Sequence, residues 1–166
     1  MPDEIGELEQ VKLILEEWRT VIDTQMHFND MILRTRTTGI SVVIGVYGAA
    51  ALAVGQYPER FLKIYEWHFH VSGAIIAFGL LLLLSIAMLD YLYYYRLLMG
   101  AVERGEQIDD AFRGRTVAGI SFLGMTTLIS RKVTRCRAVV SLLIFYGFPF
   151  IAGLVSLIYL LRFYTQ

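Results

Sequence analysis

The stretch Val71–Leu89, VSGAIIAFGLLLLLSIAML, constrains this chain more than any other: nineteen residues carry no charge, and only Ser72 and Ser85 bring a polar side chain. At 1.5 Å of rise per residue such a helix approaches the roughly 30 Å hydrocarbon thickness of a bilayer. A helix that is apolar on every face is a core or membrane helix, and a soluble core seldom needs one this long. Directly after it, Asp90-Tyr91-Leu92-Tyr93-Tyr94-Tyr95-Arg96 sets four tyrosines and a cation where the helix leaves the lipid, since Tyr rings settle at the headgroup boundary. With 56% hydrophobic and 18% charged residues, the 166-residue composition agrees with a single integral membrane unit rather than a soluble domain.

Upstream, residues 3–37 read as one long amphipathic helix. Leu8, Val11, Leu15, Trp18, Ile22, Gln25, Asn29 and Ile32 recur at alternating spacings of three and four, a heptad seam, and Ile14, Val21 and Phe28 widen it to the stripe of a bundle helix. Acids crowd its start and Arg34 and Arg36 lie near its end, the order a helix dipole favours. The seam turns polar at Gln25 and Asn29. Polar seam positions fix register and oligomer state; alternatively these two line a wet passage, or simply meet solvent.

Thr37–Gln56 gives twenty further uncharged residues, a second spanning candidate richer in small side chains. Ser41, Gly45, Ala49 and Ala53 repeat every four residues, a stripe that lets helices approach closely in lipid, where packing rather than the hydrophobic effect drives association; the other reading is a pore lining. Pro58 ends this helix, and Glu59–His70 reads as a short aromatic connection at the interface. His68 and His70 invite a metal or haem reading, but on the expected helix start they diverge by about 200°, and only His27 accompanies them. No metal or cofactor is expected.

Beyond the central helix the chain is expected to stay helical to Arg104 and to break at Gly105 and near Gly114. The fourteen uncharged residues 117–130 are too few to span. Ala138–Leu161 supplies twenty-four more, interrupted by Pro149, a kink site. Residues 1–37 carry eight acids against four Lys/Arg, and residues 96–137 carry eight Lys/Arg against four acids. Three crossings with a cytoplasmic N-terminus keep all of these cations inside, whereas a fourth would export the four in Arg131–Arg137, so the positive-inside rule selects three. The expected architecture is all-α: a cytoplasmic amphipathic helix over 1–37, then a transmembrane domain over 38–161 with spans at about 38–56, 71–95 and 138–161. Residues 96–137 form a basic cytoplasmic connection, with 117–130 re-entrant or on the cytoplasmic side.

No Ser-His-Asp grouping, HExxH, phosphate-binding glycine loop or Cys/His cluster occurs, so no enzyme is expected. Cys136 stands alone, which excludes an internal disulfide. Zero net charge gives no general attraction to nucleic acid. Asp90 is the ionisable residue flush with a spanning helix. Near-membrane charges are functional suspects; the plainer reading has it accept a hydrogen bond from Tyr93 or Tyr94, or pair with Arg34, Arg36 or Arg131. In an oligomer, copies of Asp90, Arg34 and Arg36 would instead form charged rings of the kind that set ion selectivity.

A long N-terminal helix, two spans joined by a short loop, and an exit reading DYLYYYRLLMGAVERG together resemble the SLATT family of small bacterial membrane effectors, over roughly residues 5–110. The third apolar segment, 138–161, departs from the two-span pattern. The resemblance implies an oligomeric pore-forming effector of the bacterial inner membrane, linked to nucleotide- or nucleotidyltransferase-based anti-phage defence and held shut by a cytoplasmic partner or by its own heptad helix. Gln25, Asn29, Arg34, Arg36 and Asp90 are then the pore-lining or gating candidates. The competing expectation is a non-conducting scaffold or anchoring subunit that docks a cytoplasmic partner.

Overall fold

A computed structural model describes the backbone of residues 2–59, 61–64, 67–117, 120–121, 124–132 and 135–164. Helix α1 runs unbroken through Pro2–Gln56, so the amphipathic segment and the first apolar segment are one helix with no joint near residue 37. A hairpin follows, β1 (Phe61–Ile64) antiparallel to β2 (Trp67–His70), with Phe61 opposite His70 and Ile64 opposite Trp67. Helix α2 is Val71–Leu89, and Asp90–Tyr94 forms a π-helical turn that leads into α3 (Tyr95–Phe112). A second hairpin pairs β3 (Thr116–Val117) with β4 (Ile120–Ser121), and helices α4 (Met125–Lys132) and α5 (Arg135–Tyr164) complete the chain. Three of these helices are long and apolar enough to cross a membrane.

Several local expectations change. The stretch after Pro58 is a hairpin, not an interfacial helix start, which places His68 and His70 on a strand. The helix passes through Gly105 and ends only at Phe112, before Gly114 at φ +81°. Gly105 is there for space: a Cβ would come within 2.7 Å of Thr126 Oγ1 and 2.8 Å of Gln25 Nε2. Residues 117–130 form the second hairpin and most of α4. Pro149 lies inside α5 without ending it.

The described residues divide into two compact units, Met1–Leu33 with Tyr91–Ala138, and Arg34–Asp90 with Val139–Gln166. In the first, α1 turns inward Val11, Ile14, Trp18, Val21, Gln25, Phe28 and Ile32, while Leu15 and Asn29 are exposed. The seam therefore keeps the heptad period but takes Ile14 and Phe28 in place of Leu15 and Asn29, while Val21 and Ile22 are both half-buried. A seam has two flanking positions on either side, and the one used is decided by where the chain's own α3 lies: Gln25 Nε2 donates to the Ala101 carbonyl at 3.0 Å, and Arg104 Nε reaches Glu17 Oε1 at 2.7 Å. Beside Arg104, the carboxyl of Glu17 is held below the usual carboxylate range by that hydrogen bond and the attendant charge.

In the second unit, α1, α2 and α5 pack around two clusters. Ala50, Ile76, Leu80 and Leu160 make one; Val43, Leu83 and Tyr146 make the other. Tyr47 joins them, and the space for its ring comes from two glycines: a Cβ on Gly79 would sit 2.6 Å from Tyr47 Cε1, and one on Gly153 would strike the Tyr47 hydroxyl. That hydroxyl donates to the Pro149 carbonyl at 3.4 Å.

Candidate functional site

Asp90 is the first residue beyond α2, still in right-handed helical conformation, and its N–H is shared between the Ala87 and Ile86 carbonyls. From there the backbone widens into the π-helical turn. Such turns are rare and recur at functional positions. The Asp90 side chain is fully buried, with 0% exposure. Arg36 of α1 meets it with two prongs, Nε to Oδ2 at 2.6 Å and Nη2 to Oδ1 at 3.3 Å, and the Tyr146 hydroxyl of α5 donates to Oδ2 at 2.9 Å. Forked, charge-assisted pairing of this kind is among the stronger polar contacts in proteins. One carboxylate thus ties three helices together.

Of the partners the sequence offered for Asp90, Arg36 is the one used. Tyr93 and Tyr94 are not its donors; they stack edge-on with ring centres 5.3 Å apart, and Tyr93 is exposed. Tyr146 lies 56 residues away in sequence, and no spacing rule links the two; only the tertiary packing of α5 on α2 brings them together.

The other candidates separate. Gln25 is half-buried and bonded to its own chain, Asn29 and Arg34 are exposed, and Arg36 keeps 28% of its side chain accessible. Gln25 and Asn29 share a cleft of about 620 Å³ in the first unit, which Tyr95 and Ser130 also line. On the helix at 37–56, Ser41, Gly45 and Ala49 are exposed, and Ala53 is half-buried. The face that packs inside the chain is Ile40, Val43, Tyr47, Ala50 and Val54, roughly 160° around the helix from the small-residue stripe at 100° per residue. A Cβ on Gly45 would meet nothing within 4 Å.

His70 has a structural task. It caps α2, its Nδ1 accepting from the Ser72 N–H at 3.2 Å and lying 2.5 Å from Ser72 Oγ, with Nε2 2.9 Å from the Tyr57 carbonyl. A carbonyl only accepts, so Nε2 carries the proton. The side chains of His68 and Cys136 lie outside the described residues. Among those described, no three of His, Cys, Asp and Glu gather as a metal site would require.

Sequence reading missed a second buried carboxylate. Asp109 of α3, 1% exposed, accepts from Trp18 Nε1 at 3.1 Å, from the Thr127 N–H at 2.9 Å and from Thr127 Oγ1 at 3.1 Å. It serves as a cap for α4 supplied by another helix, at the end where free N–H groups and the helix dipole favour an anion. Gly124, at φ +73°, leaves room for it; a Cβ there would collide with the Asp109 side chain. The chain matches no family model, no curated protein and no solved structure.

Proposed function

We propose that this protein is a three-span subunit of the bacterial inner membrane, N-terminus cytoplasmic, which assembles with copies of itself into a pore-forming effector. The exposed small-residue face of α1 carries this reading. Gly45 and Ala49 are uncovered within one chain, and in lipid a face of this kind is where another helix packs. Helix lengths support this placement in the bilayer. From Arg36 to Gln56, Val71 to Asp90 and Tyr146 to Tyr164 the helical rise is about 30, 28 and 27 Å, each close to one hydrocarbon thickness. The Arg36–Asp90–Tyr146 contact then marks one boundary of that layer. Val140, Leu143 and Ile144, exposed at 48%, 64% and 67%, belong to the start of the third apolar segment, where lipid or a neighbouring copy would cover them. Asn29 and Arg34, both exposed, would face the cytoplasmic mouth. Resemblance to SLATT effectors supports a trigger linked to phage infection and a cytoplasmic regulatory partner.

One observation favours the non-conducting scaffold: Asp90, Arg36 and Gln25 are satisfied inside their own chain, so they offer no bare ring to ions. Reconstitution separates the two readings. An oligomer that releases ions from liposomes, and loses both assembly and flux in Gly45→Leu/Ala49→Leu, supports the pore. Absence of flux supports the scaffold, and a lone subunit in native-like nanodiscs refutes the pore.

A further inference from the structure

The cleft of about 620 Å³ lies among α1, α3 and α4, and Ala138 of α5 also lines it. Its walls are Met26, Leu98, Met99, Val102 and Ile129, and two methionines give such a wall an adaptable, polarisable surface. The volume is that of a small-molecule site, and the usual plan of such sites is an apolar body with a few converging polar groups.

Two of the polar groups lack partners. Thr126 is 2% exposed, and its Oγ1 is the buried side-chain atom among the described residues that has no hydrogen bond. A buried hydroxyl left unpaired costs free energy, and this one lies at the cleft's wall against Gly105. Glu106 is half-buried, and its carboxylate makes no ion pair or hydrogen bond among the described residues. No Lys, Arg or His lies among the described lining residues. Among the described lining residues an entering anion would meet an acid and no cation. A protonated amine would find in Glu106 a counter-charge in surroundings where Coulomb attraction is stronger than in water, while an apolar body fills the walls.

We propose that this cleft binds a cationic amphiphile, an organic amine carrying an aromatic or alkyl body. The site lies in the unit that contains the hairpin β3–β4, and the proposal holds whether or not the assembled protein conducts.

Dansylcadaverine, a primary amine whose fluorescence rises in apolar surroundings, is the probe, with its N-acetylated form as the uncharged match. Both are titrated into the full-length protein in phosphatidylcholine nanodiscs, with empty nanodiscs subtracted. The amine is expected to bind saturably and at least ten-fold more tightly than the acetylated form. Glu106→Gln should remove that preference while leaving the acetylated probe unchanged, and Ile129→Trp, which fills the cleft, should abolish binding of both. Because the Trp substitution can disturb folding, competition is also run on the unmodified protein: hexylamine should displace the probe and hexanoate should not. Equal binding of amine and acetylated probe, unchanged preference in Glu106→Gln, displacement by hexanoate, or no saturable binding, as when another copy of the chain fills the cleft, would each overturn the proposal.

Discussion

Removing one member of the Arg36–Asp90–Tyr146 contact should cost stability in an order set by what each removal leaves behind. Arg36→Leu strands a carboxylate at 0% exposure with a single hydroxyl donor, and an uncompensated buried charge of this kind costs about 3–5 kcal/mol. Asp90→Ala strands the guanidinium instead. Arg36 retains 28% accessibility and can turn toward headgroups or water, so the expected loss is nearer about 3 kcal/mol, the low end of that range. Tyr146→Phe leaves the ion pair intact and deletes one hydrogen bond to a charged acceptor, worth about 1.5–3 kcal/mol. The double variant Arg36→Leu/Asp90→Leu leaves no charge behind, so it should recover most of the loss and fall within about 1 kcal/mol of the natural chain. Unfolding in mixed micelles titrated with SDS and followed by circular dichroism reads all four. The reasoning fails if Arg36→Leu is no worse than Tyr146→Phe, or if the double variant loses the sum of its parts. The same double variant, being folded, also tests function. If it still passes ions, the contact is structural, and the conducting path lies elsewhere.

Further outcomes follow from particular contacts. Gly79→Ala forces its new methyl onto the Tyr47 ring and should cost about 1–3 kcal/mol, whereas Gly100→Ala, exposed in α3 with open space around it, should stabilise by up to about 1 kcal/mol; thermal melts compare them, and equal effects would count against the packing described. Trp18→Phe removes one of three donors to Asp109 and should lower stability by about 1–2 kcal/mol; hydrogen exchange should show the loss first at the α4 amides. Glu17 has its pKa lowered in the folded chain by Arg104, so its contribution is present above the unfolded carboxylate range and fades as pH falls through the lower, folded value. Both side chains are exposed, so the slope should be shallow, absent in Glu17→Gln and erased by high salt; an unchanged slope in Glu17→Gln would assign it to another carboxylate.

Apolar runs were the legible part of this chain. Val71–Leu89 has the same bounds as a sequence stretch and as a helix, because a segment with no charged residue to place offers the backbone one economical solution, internal hydrogen bonding along its whole length. Period was legible as well, but phase was not. Leu15 and Ile14 are equally apolar, and only the position of α3 decides that Ile14 turns inward. The small-residue stripe at Ser41, Gly45, Ala49 and Ala53 raised a similar ambiguity, since small side chains permit close approach without demanding it. Within the second unit the close approaches are made by Gly39, Gly79 and Gly153, each under the side chain of a neighbouring helix, and none belongs to that stripe.

The buried polar contacts explain what the sequence could not give. Arg36 and Asp90 lie at the edges of their apolar runs, so that each was visible as a boundary charge and their pairing was one of several options. Tyr146 was hidden inside the third apolar run, where a phenol among Phe, Ile and Leu reads as an aromatic filler. The same holds for Asp109, an acid in a polar helix that looks solvated until Trp18 and Thr127 converge on it. In both cases a side chain from a distant segment supplies the donors, and a donor's identity is written in the sequence while its aim is not. This has a consequence for function. Asp90 and Asp109 are neutralised or capped within one chain and hold helices together, so the proposed contacts with ligands and other copies rest on groups among the described residues that packing has not used: Asn29 and Glu106 at the cleft, and Gly45 and Ala49 on the open face of α1.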